Sequence, residues 1–356
     1  MPDAREIAYS IIRRVEAEGA YLSLLLRYRL EESGLSARDR ALVAELAYGV
    51  QRHRNRLDYV IAAFSDRRLE DLDPEALLLL RMGVYQVMEM RVPSHAAVNE
   101  TVKLAKGVLR QGAASYVNAV LRAACGGLGS LAWPGREDLA RFLEVNQSHP
   151  RWLVDYLLGR MGEEEAEALC AADNAPPTLT LRANLARLGG DELAVEIASR
   201  RGRCLRSPWL AEAALEVNLS RGDLVDMLRR GLCVVQDQSS MLVAHAVDPA
   251  PGSVVLDACA APGGKATHLA AMVGEEGKVV AMDRNPRRLE AMRALVERLG
   301  LENVDTVEGD AAQACSRLER PANAVLVDAP CSGLGTLQRR PELKWRRRPE
   351  DLARLA

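Results

Sequence analysis

Two carboxylates and one cysteine stand where this chain could do chemistry: Asp283, Asp328 and Cys331 each close an apolar run or follow one directly. The runs are organised around the stretch from Val254 to Leu269. Val254, Val255 and Leu256 form an apolar run of the kind buried in a parallel sheet, and Ala266, Leu269, Ala270 and Val273 recur at helical spacing. Between them, Pro262-Gly263-Gly264 predicts a tight turn. A strand feeding a Gly-rich turn and then a helix predicts a nucleotide-type site. Glycines let a ligand approach the backbone, and the helix N-terminus offers unpaired N–H groups to an anion. A second apolar run from Lys278 ends in Asp283, about 20 residues past the loop, where an acid can hold ribose hydroxyls. Read alone, Asp283 also suits a helix cap, Gly309-Asp310 ordinary turn chemistry, and Lys265 a solvated lysine at a helix start.

The turn is neither common phosphate loop. Gly264-Lys265 resembles the end of a Walker A loop, but Cys259 and Ala266 stand where Gly and Ser or Thr are required. A nucleoside ligand without a polyphosphate fits better. S-adenosylmethionine is such a ligand, an adenosine whose amino-acid end carries a carboxylate for the helix N-terminus. The run from Ala324 ends in Asp328-Ala-Pro-Cys331, and a cysteine at a strand's carboxyl end can serve as a nucleophile. Free cysteine is otherwise a small buried hydrophobe. That is the reading for Cys170, Cys204 and Cys315, and Cys259 reads as a packing residue beside the turn.

The elements that must position these residues follow from the pattern. Residues 1–128 predict helix throughout: Ile7, Ile11, Ile12 and Val15 recur at helical spacing, Ser36 with Asp39 resembles a capping box, and Asp73-Pro74 starts another helix. Glycines at 126, 127, 129 and 135 mark a linker. Helices are expected at 137–147, 149–160 and 162–173, short strands at 178–182 and 215–219, and a helix at 192–199. Together they suggest a small α+β module over 137–240. From 241 to 356 the rhythm becomes a Rossmann-like α/β domain, with strands at 254–258, 278–283, 304–308 and 324–328 and helices at 263–273 and 286–299.

Composition bounds the partners. With 48% hydrophobic residues, real cores can form, and a formal net charge of −2 advertises no global attraction to a polyanion. Lys occurs five times among 47 basic residues, so the basic side chains are overwhelmingly Arg, suited to bidentate phosphate contacts. The seven cysteines never form Cys-x-x-Cys, so the sequence suggests neither a disulfide framework nor a metal cluster. No apolar run reaches the ~18 residues of a membrane span, and no signal-peptide pattern opens the chain; a cytoplasmic monomer is expected.

Asp-Ala-Cys-Ala-Ala-Pro-Gly-Gly-Lys at 257–265, Asp283, Gly309-Asp310 and Asp-Ala-Pro-Cys-Ser-Gly at 328–333 resemble the motif series of the RNA cytosine-C5 methyltransferases. The helical N-terminal part resembles the antitermination factor NusB. The fusion is similar to the RsmB/Sun family of 16S rRNA cytosine-C5 methyltransferases, over nearly the whole chain. The resemblance implies S-adenosylmethionine as cofactor and 16S rRNA as partner. By it, Cys259, Ala260, Ala261, Pro262, Gly263, Gly264 and Lys265 line the methionine end of the cofactor. Asp283 holds the ribose, Asp310 lies by the adenine, and Asp328 lies near the transferable methyl and the target base. In that family the attacking thiol belongs to a Thr-Cys motif, and the Pro-Cys cysteine, here Cys331, releases product. No Thr-Cys dipeptide occurs in these 356 residues, and four strands stand where the family sheet has seven. The expectation is therefore a C-terminally truncated chain, with an apolar sheet edge left exposed beside 324–328.

Between Arg339 and Arg348 lie six basic residues, one acid and Trp345. Basic residues interleaved with an aromatic suit phosphate contact and base stacking, which marks Lys344, Trp345, Arg346, Arg347 and Arg348 as RNA-binding candidates. Arg52-His-Arg-Asn-Arg56 is a second basic cluster, spread around a helix surface. Two other readings compete: a tRNA cytosine-C5 methyltransferase, and a catalytically dead chain that only binds RNA and cofactor.

Overall fold

The computed structural model describes residues 3–90, 92–313, 318 and 321–355. Cys315 lies outside them. The chain forms two compact units, Met1–Pro177 with Cys331–Ala356, and Thr178–Pro330. This division runs through the stretch expected as one α+β module.

The first unit is helical wherever the described residues form regular structure. Helix Ala4–Glu18 starts on a reciprocal cap: the Asp3 side chain accepts from the Arg5 and Glu6 N–H groups, while Glu6 accepts from the Asp3 N–H. Only half the box expected at Ser36 forms. Its hydroxyl accepts from the Asp39 N–H, but it also donates to the Asp39 carboxylate, which therefore does not reach back. Pro74–Met88 starts with proline at its first position and Asp73 as cap. Ile11, Ile12, Leu46, Leu57, Leu80 and Leu121 meet in the core at 1% exposure or less. Three further helices, Leu139–Val145, Arg151–Met161 and Glu163–Asn174, sit close to where periodicity placed them. Their core, built on Leu143, Leu153, Val154 and Cys170, is completed by Leu337 and Leu343 from the far end of the chain.

The second unit holds two four-stranded sheets. The first is antiparallel, in the order β2-β3-β1-β4, from β1 Leu181–Ala183, β2 Arg203–Arg206, β3 Ala213–Asn218 and β4 Cys233–Val235. Alternation in the sequence marks β1 and β3, whereas β2 is too exposed to show it and β4, Cys233-Val-Val235, is an apolar run without polar alternation. Helix Gln238–Val247 lies outside the expected elements.

The other sheet is parallel, in the order β7-β6-β5-β8, from β5 Val254–Asp257, β6 Lys278–Asp283, β7 Val304–Glu308 and β8 Ala324–Leu326. Helices Gly264–Val273 and Pro286–Leu299 make the first two crossovers, as parallel pairing demands. Val255, Val279 and Ala281 are fully buried, which explains why these strands read as unbroken apolar runs. β8 lies at the sheet edge, with Val325 56% and Val327 61% exposed.

Candidate functional site

The parallel sheet delivers Asp257, Asp283 and Asp328 to the carboxyl ends of its strands, or just past them, around the 258–264 loop. Neighbouring strands stitch the loop down: the Ala258 N–H donates to the Leu326 carbonyl at 2.9 Å and the Ala260 N–H to the Met282 carbonyl at 2.8 Å. The Gly263 N–H donates to the Ala260 carbonyl at 2.8 Å and closes the turn. Gly263 has φ 103°, and a Cβ there would lie 2.6 Å from Met292 Cγ, so both conformation and space call for glycine. Helix Gly264–Val273 then begins, and its first N–H groups have no partner within the helix.

A buried arginine that no sequence signal marked holds this helix start. Arg182 of β1, 2% exposed, donates from Nη1 to the Gly264 carbonyl at 3.0 Å and from Nη2 to Thr267 Oγ1 at 2.9 Å. Burial pushes its guanidinium down to about 10. Thr267 Oγ1 in turn donates to the Gly263 carbonyl at 2.7 Å.

Asp283 is buried at the end of β6. Its Oδ1 accepts from the Asn285 N–H at 2.9 Å and its Oδ2 from the Ala261 N–H at 3.3 Å, with Arg288 Nη1 3.6 Å away. Arg288 also donates to the Ala261 carbonyl. The acid thus ties the loop to its own strand while keeping lone pairs for a ligand hydroxyl. The helix-cap alternative does not hold, because Asn285 caps Pro286–Leu299.

Asp257 is 1% exposed. Its Oδ1 accepts a long hydrogen bond, 3.4 Å, from the Cys259 N–H, and its Oδ2 has no partner among the described residues. Burial, helped by the nearby Asp328 and Asp283, pushes its carboxyl up to about 7. An orphaned buried carboxylate oxygen beside a helix N-terminus is a ready partner for a cationic group. The ammonium of S-adenosylmethionine is one, so the residues present fit the amino-acid end of this cofactor, the helix start taking its carboxylate and Asp257 its ammonium.

Lys265 is engaged rather than solvated: Nζ donates to Asp328 Oδ2 at 2.6 Å, with side chains 18% and 53% exposed. Burial also raises the thiol of Cys259, with Asp257 next in effect, so this residue is a weak nucleophile. Asp310 is exposed, and its Oδ1 accepts from the Ala312 N–H at 3.0 Å, local turn chemistry. Cys331 is exposed and opens the final segment of the helical unit.

The 344–348 run is corrected. Lys344 is fully buried, and its Nζ donates to the Asn174 side chain at 2.7 Å and to the Ser148 and Arg52 carbonyls at 3.3 and 3.4 Å. Trp345 Nε1 donates to the Gln51 carbonyl at 2.7 Å, and Arg54 covers its ring. Arg346 donates to the Ala20 and Val15 carbonyls, and Arg347 to the Ser332 carbonyl at 2.6 Å. These four side chains are fasteners of the helical unit, spent on internal carbonyls. Arg348 alone of the five is exposed.

A parallel sheet with a Gly-rich loop running into a helix, and an acid closing the next strand, is the Rossmann-like arrangement for a nucleoside-containing ligand, which S-adenosylmethionine-dependent methyltransferases share with dinucleotide-binding proteins. Comparison with known proteins agrees. The family described as 16S rRNA methyltransferase RsmB/F matches residues 244–356, the NusB family matches 2–125, and the ferredoxin-like domain of RsmF/B-like methyltransferases matches 149–219. A Bacillus subtilis protein named "Probable ribosomal RNA small subunit methyltransferase B" is 36% identical over 99% of this chain and 78% of its own length. The Pseudomonas syringae pv. tomato protein named ribosomal RNA small subunit methyltransferase B is 34% identical over 90% of this chain and 70% of its own. The crystal structure of PH0851 shares the fold, with a TM-score of 0.77 at 23% identity, covering 100% of this chain and 80% of that one. The chain belongs to the RsmB/F family of methyltransferases, and its cofactor is S-adenosylmethionine.

Proposed function

We propose that this protein methylates C5 of a cytosine in 16S rRNA through a covalent cysteine adduct. The observation that carries the proposal is the convergence of Asp257, Asp283 and Lys265-bound Asp328 on one Gly-rich loop, Asp328 lying just past β8, where the chain leads directly into Pro330-Cys331. In this reading Asp283 holds the ribose hydroxyls, the loop and Asp257 hold the amino-acid end, and Asp310 lies by the adenine. Lys265 lines the methionine end with the loop, and Asp328, paired with it, lies near the transferable methyl and the target base.

Cytosine C5 is not nucleophilic. Addition of a thiolate to C6 forms a C6–S bond and moves the C5–C6 π electrons onto C5, which then takes the methyl group while the sulfonium sulfur keeps the S–C bonding pair and departs as a neutral thioether. The C5 proton leaves to a base, and the electrons of that C–H bond expel the thiolate and restore the ring. The base must be unstacked for the thiolate to reach C6. Cys331 is assigned to the release step and Asp328 to the neighbourhood of the transferred methyl. Residues 1–128 are proposed as the RNA-binding domain, 137–240 as an RNA-recognition-like module and 241–356 as the methyltransferase domain. The exposed Arg348 is the one member of its run kept as an RNA contact.

Labelled methyl transfer to unmethylated small-subunit RNA tests the reading. The expected product is 5-methylcytosine, and label on another atom or base overturns the assignment. Transfer that disappears in Cys331→Ser would instead make Cys331 the attacking thiol.

A further inference from the structure

Among the described residues, one cluster of ligating side chains lies outside the cofactor loop. Glu212, immediately before β3, His245, in the last turn of Gln238–Val247, and His268, in Gly264–Val273, each offer an atom within 4.8 Å of the others. Glu212 Oε1 lies 2.7 Å from His245 Nε2 and 3.2 Å from His268 Nε2. The two rings meet edge to face at 5.4 Å between centroids. His268 is fully buried, and among the described residues neither of its ring nitrogens has a well-aligned hydrogen-bond partner; Glu212 Oε1 approaches Nε2 at 3.2 Å without the alignment of a hydrogen bond. Two orphaned polar atoms in a buried ring are costly, and such groups call for an explanation.

We propose that Glu212, His245 and His268 bind one divalent transition-metal ion of the zinc type. Two imidazoles and a carboxylate are a zinc donor set, and calcium and magnesium prefer all-oxygen sites. Ligand atoms on a tetrahedral zinc, each about 2.0–2.2 Å from the ion, stand roughly 3.3 Å apart. The Glu212–His268 separation already matches this, the Glu212–His245 separation has to widen by roughly 0.6 Å, and the two histidines offer ligand atoms within 4.8 Å of each other. His245 is 42% exposed on its side chain, which gives an ion a path in from solvent and leaves a fourth position for water.

The site would join the β2–β3 connection to two helices of the parallel-sheet layer. One of these helices starts at the cofactor loop, with His268 a turn below Gly264. Bound metal would brace the helix end that receives the cofactor, adding to the grip of Arg182.

The test uses the full chain, stripped with chelator, titrated with Zn2+ by calorimetry and melted with and without the ion. One Zn2+ per chain and an upward shift in melting temperature are expected. His245→Ala, exposed enough to leave the fold intact by circular dichroism, and Glu212→Gln should each weaken Zn2+ at least tenfold and remove the shift. His95→Ala, an exposed histidine elsewhere, should change neither. Co2+ should give visible absorption bands that are lost in His245→Ala. Absence of stoichiometric binding, or binding unchanged by His245→Ala, would overturn the site. Neither readout involves methyl transfer, so failure here is distinct from failure of the proposed function.

Discussion

Lys344 and Asp257 are both removed from water, and their surroundings treat them in opposite ways. Lys344, in the helical unit, gives its ammonium three oxygen acceptors drawn from three separate parts of the chain. Asp257, in the α/β unit, keeps one long hydrogen bond and one bare oxygen. Burial pushes both toward neutrality, to about 7 in each case. A buried ion with a full set of partners specifies structure, whereas one left short is poised for something that arrives later.

The largest expected effect tests the unsatisfied side. The carboxyl of Asp257 is raised in the folded chain, so the associated stability is fully present below its unfolded value near 4 and is lost as pH rises through 7. In the absence of cofactor, Asp257→Asn should be the more stable protein above pH 7, by up to ~4 kcal/mol for three pKa units. It should also show a flatter stability profile between pH 4 and 7. Urea unfolding across that range decides it; a variant less stable at pH 8 would mean the carboxylate is already well served.

The satisfied side should respond the other way. Lys344→Met at pH 8, where the amine is mostly neutral, leaves three acceptors unpaired and should cost about 3 kcal/mol. The lysine is depressed in the folded chain, so burying its charge costs most below pH 7, and stability should rise from about 7 to 10.5. The methionine variant should lack that rise. Equal unfolding midpoints for the two proteins would erase the contrast.

The smallest effect sharpens the cofactor side. Asp283→Ala removes a charge-assisted acceptor and should weaken S-adenosylmethionine by ~1.5–3 kcal/mol, read by calorimetry. Unchanged affinity would detach Asp283 from the ribose and leave it only as the anchor of Ala261.

The same contrast explains what the sequence could and could not reveal. The turn at Gly263 and the place of Asp283 were legible because both are set locally, by a turn that admits no Cβ and by an acid that closes an apolar strand. Lys344 and Trp345 read as an RNA-facing run because their partners lie far away along the chain; Asn174 is 170 residues distant and Gln51 is 294. Arg182 and the Glu212–His245–His268 cluster were invisible for the same reason, since each joins elements whose contact no local pattern announces. Helices with clear apolar periodicity were found to within a few residues, while the short, exposed β2 carried no periodic signal.

The discontinuity of the helical unit has a consequence for synthesis. Leu337, Leu343 and Lys344 complete a unit whose other residues end at Pro177, and the whole of Thr178–Pro330 intervenes. At ribosomal speed those intervening residues take on the order of ten seconds to emerge. During that interval Leu143, Leu153 and Val154 wait without their last partners, and the acceptors at Arg52, Ser148 and Asn174 wait for an ammonium not yet made. The nascent chain therefore has a window in which its first-made unit is its least finished one, and ribosome-bound chaperones would meet it there.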